Sequence, residues 1–348
     1  MGSDMQHEKL VDLFQREFNR CKVKGGETAI VLSGERSRPE YARAALQAIR
    51  NLGAQAFQMH MPSLLAEERP DAKEGTFVGL TPVTGQRLAV ETLKQADFVV
   101  DLMMLLHSPE QVEILQAGTR MLLVIEPPEI LERMMPNDEL RQRVEAGSQM
   151  LKRARTLRVT SPAGTDVEMK IGQFPVITQY GFTDTPGRWD HWPSAFLYTW
   201  PNEGSTNGRV VLNKGDFVWP LNRYVETAIT LTVRDGYIRT IEGKNDARFL
   251  KDQMESFRDP EAYAVSHIGW GVDSRAQWES VKVQPLSIGT DPRSYSGNVQ
   301  FSTGPNTEAG GNRHTIAHFD MPMLGCTLTL DGEAVVRDGT TLDLAKVQ

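Results

Sequence analysis

Apolar positions in the first 155 residues alternate between a helical and a strand period. Leu10, Val11, Leu13, Phe14 and Phe18 recur at helical spacing over residues 8–21, and residues 27–33 (ETAIVLS) read as a strand. Residues 39–51 (PEYARAALQAIRN) form a helix pattern, with Gly53 just beyond as its stop. Residues 54–61 alternate as a strand, 75–86 are a Gly/Pro/Thr-rich loop, 87–95 are helical, and 97–106 (DFVVDLMMLL) read as a buried strand. Ser108-Pro109-Glu110 has the chemistry of a helix start, with serine as cap and proline in the first turn. Residues 119–125 are another strand, and helical material follows Pro127-Pro128 to about residue 154. Such alternation predicts a mostly parallel sheet covered on both faces.

Beyond residue 155 the period shortens. Strands are predicted at 156–161, 166–171, 209–213, 226–233 and 236–242, with hairpin turns at Pro162-Ala163-Gly164 and Asp235-Gly236. One helix pattern, 246–257, interrupts them. A stretch rich in Gly, Asn, Thr and Ser covers 293–313, and β pattern returns at 325–337. The predicted fold class is α/β: an N-terminal, mostly parallel α/β domain over 1–155, then a C-terminal β-rich α+β domain over 156–348. No repeat or low-complexity tract appears.

Composition narrows the function classes. With 348 residues, 40% hydrophobic and 24% charged, the chain can build two ordinary cores. A formal net charge of −7 argues against a nucleic-acid partner. No apolar run approaches the roughly eighteen residues of a membrane span, and the N-terminus shows no apolar signal core. Cys21 and Cys326 are the only cysteines, so no disulfide framework is implied, and sparse thiols fit a reducing, cytoplasmic setting. There is no G-x-G-x-x-G after the first strand, no Walker loop, no G-x-S-x-G elbow and no H-E-x-x-H.

The candidate chemistry lies in the histidines. On an extended strand His318 and Asp320, at i and i+2, point to one face. A second histidine would complete two imidazoles and one carboxylate on one side of a metal, the donor set of non-haem Fe(II) oxygenases. The spacing alone does not separate this from a solvated or core-satisfied pair. His267, flanked by Gly269 and Gly271, is preferred as the third donor over His314, which adjoins Arg313 in a polar stretch. His107 ends the apolar run 97–106, where open α/β sheets place ligand sites, and it reads equally as a capping residue. His191 lies in Gly187-Arg188-Trp189-Asp190-His191-Trp192-Pro193, outside any obvious helix or strand. That segment reads either as a plug of aromatic side chains or as a binding loop. In a binding loop Trp192 would wall a flat ring, and Arg188 or His191 would bond its oxygens.

The segments 99–111 (VVDLMMLLHSPEQ), 186–194 (PGRWDHWPS), 199–203 (TWPNE), 266–271 (SHIGWG), 301–308 (FSTGPNTE) and 318–320 (HFD) together resemble the 2,5-dihydroxypyridine 5,6-dioxygenases of nicotinate and nicotine breakdown. The resemblance runs in order over nearly the whole chain. It implies Fe(II) held by His267, His318 and Asp320, with His107 as acid/base and His191 at the substrate site. It also implies a small hydroxylated pyridine and O₂ as reactants, N-formylmaleamate as product, a site in the cleft between the domains, and a homo-oligomer. The implied fold is that of the thermophilic metal-dependent aminopeptidases, with Trp270 and Phe301 where those enzymes carry further metal ligands. A one-metal hydrolase of that type is the main alternative, and a catalytically inactive binding protein for a heteroaromatic ring is another.

Overall fold

The structure, a computed structural model, describes residues 2–62, 81–106 and 108–342. His107 and residues 75–80 of the predicted loop lie outside the described residues. The described chain divides into two compact units. The first holds residues up to 136 together with 180–194, and the second holds 137–179 together with 195–342.

The first unit is built on a wholly parallel sheet of five strands: β1 (Thr28–Gly34), β2 (Gln55–Met61), β3 (Phe98–Asp101), β4 (Arg120–Val124) and β8 (Trp189–Trp192). Their order is β2-β1-β3-β4-β8. Helices α1 (Gly2–Arg20) and α2 (Pro39–Asn51) pack together, as do α3 (Arg87–Lys94) and α4 (Pro109–Gln116). Strand order reverses at β1, so right-handed crossovers put these two pairs on opposite faces. The predicted cap of α4 is present: Ser108 Oγ accepts from the Gln111 N–H at 3.1 Å.

Two segments differ from their sequence pattern. The apolar run 97–106 is a strand only to Asp101. There the buried carboxylate accepts from the N–H groups of Met103 and Leu105, both at 2.7 Å, and Met104 takes a φ of 64°. A side chain offering the backbone these bonds ends the ladder however apolar the following residues are. The Trp189–Trp192 segment is a strand, the fifth of the parallel sheet. Four residues between turns give no readable period, and the partner strand β4 lies 68 residues earlier in the chain (Met121↔Trp189).

The second unit contains α5's successor in the chain, α6 (Asp138–Arg153), the short α5 (Pro128–Arg133) being in the first. An eight-stranded sheet runs β14-β13-β10-β6-β5-β18-β19-β20. Its strands are β5 (Thr156–Thr160), β6 (Asp166–Lys170), β10 (Asn207–Leu212), β13 (Ile229–Arg234), β14 (Tyr237–Gly243), β18 (Thr327–Leu330), β19 (Glu333–Arg337) and β20 (Thr340–Thr341). The predicted β5–β6 and β13–β14 hairpins are both present, and Asp235 and Gly236 take φ of 51° and 76°, as a type I′ turn demands. The predicted helix over 246–257 is α7 (Asn245–Glu255). A second, five-stranded antiparallel sheet has the order β17-β16-β15-β9-β7. It comprises β7 (Val176–Gln179), β9 (Phe196–Thr199), β15 (Val265–Gly271), β16 (Val299–Thr303) and β17 (Phe319–Met323), and α6 packs on β7 and β9. A ribbon of β11 (Phe217–Val218) and β12 (Arg223–Tyr224), and two short helices, α8 (Ser280–Val283) and α9 (Thr290–Ser294), complete it. The mixed α/β class predicted from the sequence is the class observed.

Candidate metal centre

Three neighbouring strands of the five-stranded sheet build the site, with β16 in the middle. β15 carries His267, and β17 carries Asp320 with His318 just before it. The β15–β16 register slips by one between Val265↔Thr303 and Ile268↔Phe301. The slip leaves an extra residue at Ser266–His267, and a bulge of this kind turns a side chain away from the regular alternation. The Ser302 hydroxyl fixes the bulge by donating to the His267 carbonyl at 2.6 Å. Directly across β16, Ser302 pairs with Asp320. Glycine is needed at two close approaches. A Cβ on Gly269 would lie 1.9 Å from Leu197 O on β9, and one on Gly304 would lie 2.5 Å from Ala317 O and 3.1 Å from His318 Nδ1.

The result is a buried cluster of three donor atoms, one each from His267, His318 and Asp320, all within 4.8 Å of one another. Asp320 Oδ1 lies 3.1 Å from His267 Nε2 and 3.3 Å from His318 Nε2. It has no hydrogen-bond partner among the described residues, and neither has His267 Nδ1. A buried carboxylate oxygen without a donor is costly. Neighbouring ligands of one metal, at bond lengths of about 2.1 Å, sit about 3 Å apart, which is the spacing seen here. The residues therefore fit a metal ion. His318 Nδ1 donates to the Thr303 carbonyl at 2.9 Å, so the proton sits on Nδ1 and Nε2 keeps its lone pair. Burial pushes the His267 imidazole below its usual range, toward the neutral form that can ligate. For Asp320, burial alone would raise the carboxyl, but positive charge on the neighbouring imidazoles outweighs it and holds the group well below the carboxylate range; with neutral, ligating imidazoles a bound cation would supply that charge.

Rings wall this cluster. Tyr198 lies 4.5 Å from His267 between ring centroids, Trp200 5.6 Å from His267, and Trp219 5.7 Å from His318. The Tyr198 hydroxyl donates to Glu308 at 3.0 Å, and burial pushes the Glu308 carboxyl up to about 7. The Trp200 indole donates to Ser266 Oγ and to the Pro305 carbonyl. Trp270 and Phe301 are fully buried and offer no ligand atom. His314 is exposed and stands outside the cluster.

The other sequence candidates lie in the first unit. Arg188 precedes β8, its Nη2 2.7 Å from Asp190 Oδ2 and its guanidinium 3.7 Å from the centre of the Tyr180 ring. His191 is buried, and its Nδ1 lies 2.8 Å from the Pro193 carbonyl. Trp192 is a core side chain, edge-on to Phe14 at 5.7 Å. Sequence reasoning passed over Arg293, Trp219, Tyr198 and Glu308. Trp219 adjoins a two-residue strand and Arg293 lies in a one-turn helix, neither of which has a readable period.

Fold and donor set together define a class: mixed α/β proteins with a buried cluster of two histidines and one carboxylate on an antiparallel sheet. The chain belongs to the 2,5-dihydroxypyridine 5,6-dioxygenase family, whose profile matches residues 9–343. A 2,5-dihydroxypyridine 5,6-dioxygenase of Pseudomonas putida is 43% identical over 337 residues, 96% of each chain. The solved structure of 2,5-dihydroxypyridine dioxygenase from Pseudomonas putida KT2440 matches with a TM-score of 0.93 at 43% identity, covering 97% of this chain and 98% of that one. AmpT from Thermus thermophilus matches with a TM-score of 0.63 at 13% identity, covering 96% and 99%, and shares the fold alone.

Proposed function

We propose that this protein opens 2,5-dihydroxypyridine between C5 and C6 with O₂, giving N-formylmaleamate, and that its metal is Fe(II) held by His267, His318 and Asp320. The observation that carries the reading is the convergence of these three side chains in a member of this family. Two neutral nitrogens and one carboxylate match the facial donor set that leaves further positions for substrate and O₂. When bound, Fe(II) supplies an electron path between O₂ and the ring, a path that closed-shell reactants lack in solution. Both oxygen atoms enter the product, so no external reductant is consumed.

The chain's own residues do the rest. The Tyr198, Trp200 and Trp219 rings give the cluster apolar walls, which suit a flat heteroaromatic ring and exclude water. Thr303 and Ser302 hold the two imidazole-bearing segments in place through backbone contacts. His107 takes the proton of a ring hydroxyl and later returns it, since an imidazole titrates near neutrality. His191 and Arg188 serve the substrate side, while Trp192, packed in the core against Phe14, holds their segment. We place the reaction in the cytoplasm, consistent with two free, buried thiols, and in an assembly of several copies. No helix among the described residues is long and apolar enough to cross a membrane.

The test is anaerobic loading with Fe(II), then oxygen uptake on adding 2,5-dihydroxypyridine. One O₂ per ring with loss of the ring absorbance is expected, and none in His318→Ala. His107→Ala should keep its iron and lose turnover by about 10²–10⁴-fold. No uptake by the iron-loaded wild type sinks the reading.

A further inference from the structure

Asp320 has two oxygens, and they face different partners. Oδ1 faces the two imidazoles, whereas Oδ2 lies 3.3 Å from Nη1 of Arg293. Arg293 sits on α9 and is 6% exposed, an unusual place for a guanidinium. It is fixed from several sides. Its carbonyl accepts from Asn298 Nδ2 at 2.9 Å and from Gln300 Nε2 at 2.6 Å. Its Nε donates to the Gly289 carbonyl at 3.3 Å, and the guanidinium carbon lies 5.0 Å from the centre of the Trp219 ring. Trp219 in turn exchanges both backbone hydrogen bonds with Asp320, at 2.9 and 3.1 Å. Ring, arginine and carboxylate thus form one fixed unit.

We propose that Arg293 is a positioning residue that makes Asp320 a one-oxygen metal ligand. The inference rests on the metal-centre reading above. A carboxylate free to turn about its Cβ–Cγ bond can present both oxygens to a cation and fill two coordination positions. Turning Oδ2 away from Arg293 would strip a buried guanidinium of a carboxylate partner, a strongly unfavourable change. The ion pair therefore keeps Oδ2 off the metal and reserves the position it would take. That position, beside a buried positive charge, suits an anionic ring oxygen.

The experiment titrates metal-free wild type, Arg293→Gln and Arg293→Lys with Co(II), reading affinity and the visible absorption that reports coordination, with circular dichroism as the check on folding. In Arg293→Gln the affinity should fall about 10–100-fold, as for other residues that orient a ligand, and the spectrum should change. Arg293→Lys keeps the charge but cannot reach both Gly289 and Asp320, so it should fall several-fold and show the same spectral change in smaller measure. Adding 2,5-dihydroxypyridine should perturb the wild-type spectrum more than either variant's. Unchanged affinity and spectrum in whichever variant folds overturns the proposal. Wild type that takes up no Co(II) overturns the metal-centre reading itself, and this inference with it.

Discussion

At the scale of single residues, the donor cluster depends on side chains that ligate nothing. Gly304 takes a φ of 127°, outside the range that L side chains favour, and its missing Cβ makes room for the His318 ring. Gly304→Ala should cost about 1–3 kcal/mol in urea unfolding and lower metal affinity at least about tenfold, by displacing His318. Wild-type stability together with full metal content in that variant would contradict the role given to Gly304. His318 and Asp320 stand out as a pair because H-x-D is a local signal, whereas the choice of His267 over His314 rests on a local preference and the family resemblance, and the structure brings His267 to the pair. Gly304 and Arg293 are not legible in this way, since their importance lies in what approaches them from distant segments.

At the scale of elements, the turn after β3 replaces strand where the sequence is most apolar. Its cause, Asp101, is fully buried, and burial outweighs its backbone hydrogen bonds and pushes its carboxyl up to about 6 from an ordinary 3.8. A raised carboxyl means the folded state holds its proton longer than the unfolded state. Its contribution is therefore complete below pH 3.8 and is lost as pH rises through about 6. At about 1.4 kcal/mol per pH unit, wild type should lose about 2 kcal/mol relative to Asp101→Asn between about pH 4 and pH 7. Denaturant unfolding of both proteins across that range measures it, and parallel pH profiles would refute it. The bulge at His267 belongs to this scale too. Ser302→Ala removes the bond that fixes it, and should cost about 1 kcal/mol in stability with a measurable weakening of metal binding in a titration.

For the whole molecule, a metal that binds only the folded state adds stability by mass action. At a free metal concentration about 100 times Kd the gain is about 2.7 kcal/mol. Thermal unfolding with and without a chelator should show that difference in wild type and none in His318→Ala, whose cluster has lost a donor. An equal response of the two proteins would mean that the stabilising metal sits elsewhere.

The sequence by itself determined the local periods, and with them the α/β class, most helices, the two hairpins and the His318–Asp320 pair as a candidate. These follow from patterns within a dozen residues, where side-chain alternation, capping and turn chemistry act directly on the backbone. Only the tertiary structure decided that Trp189–Trp192 closes the parallel sheet and that β15 slips by one residue to aim His267. It also decided that Arg293 meets Asp320. Each of these is a pairing between segments far apart in the chain. Such pairings are set by which surfaces can be buried together, and no single segment records its partner.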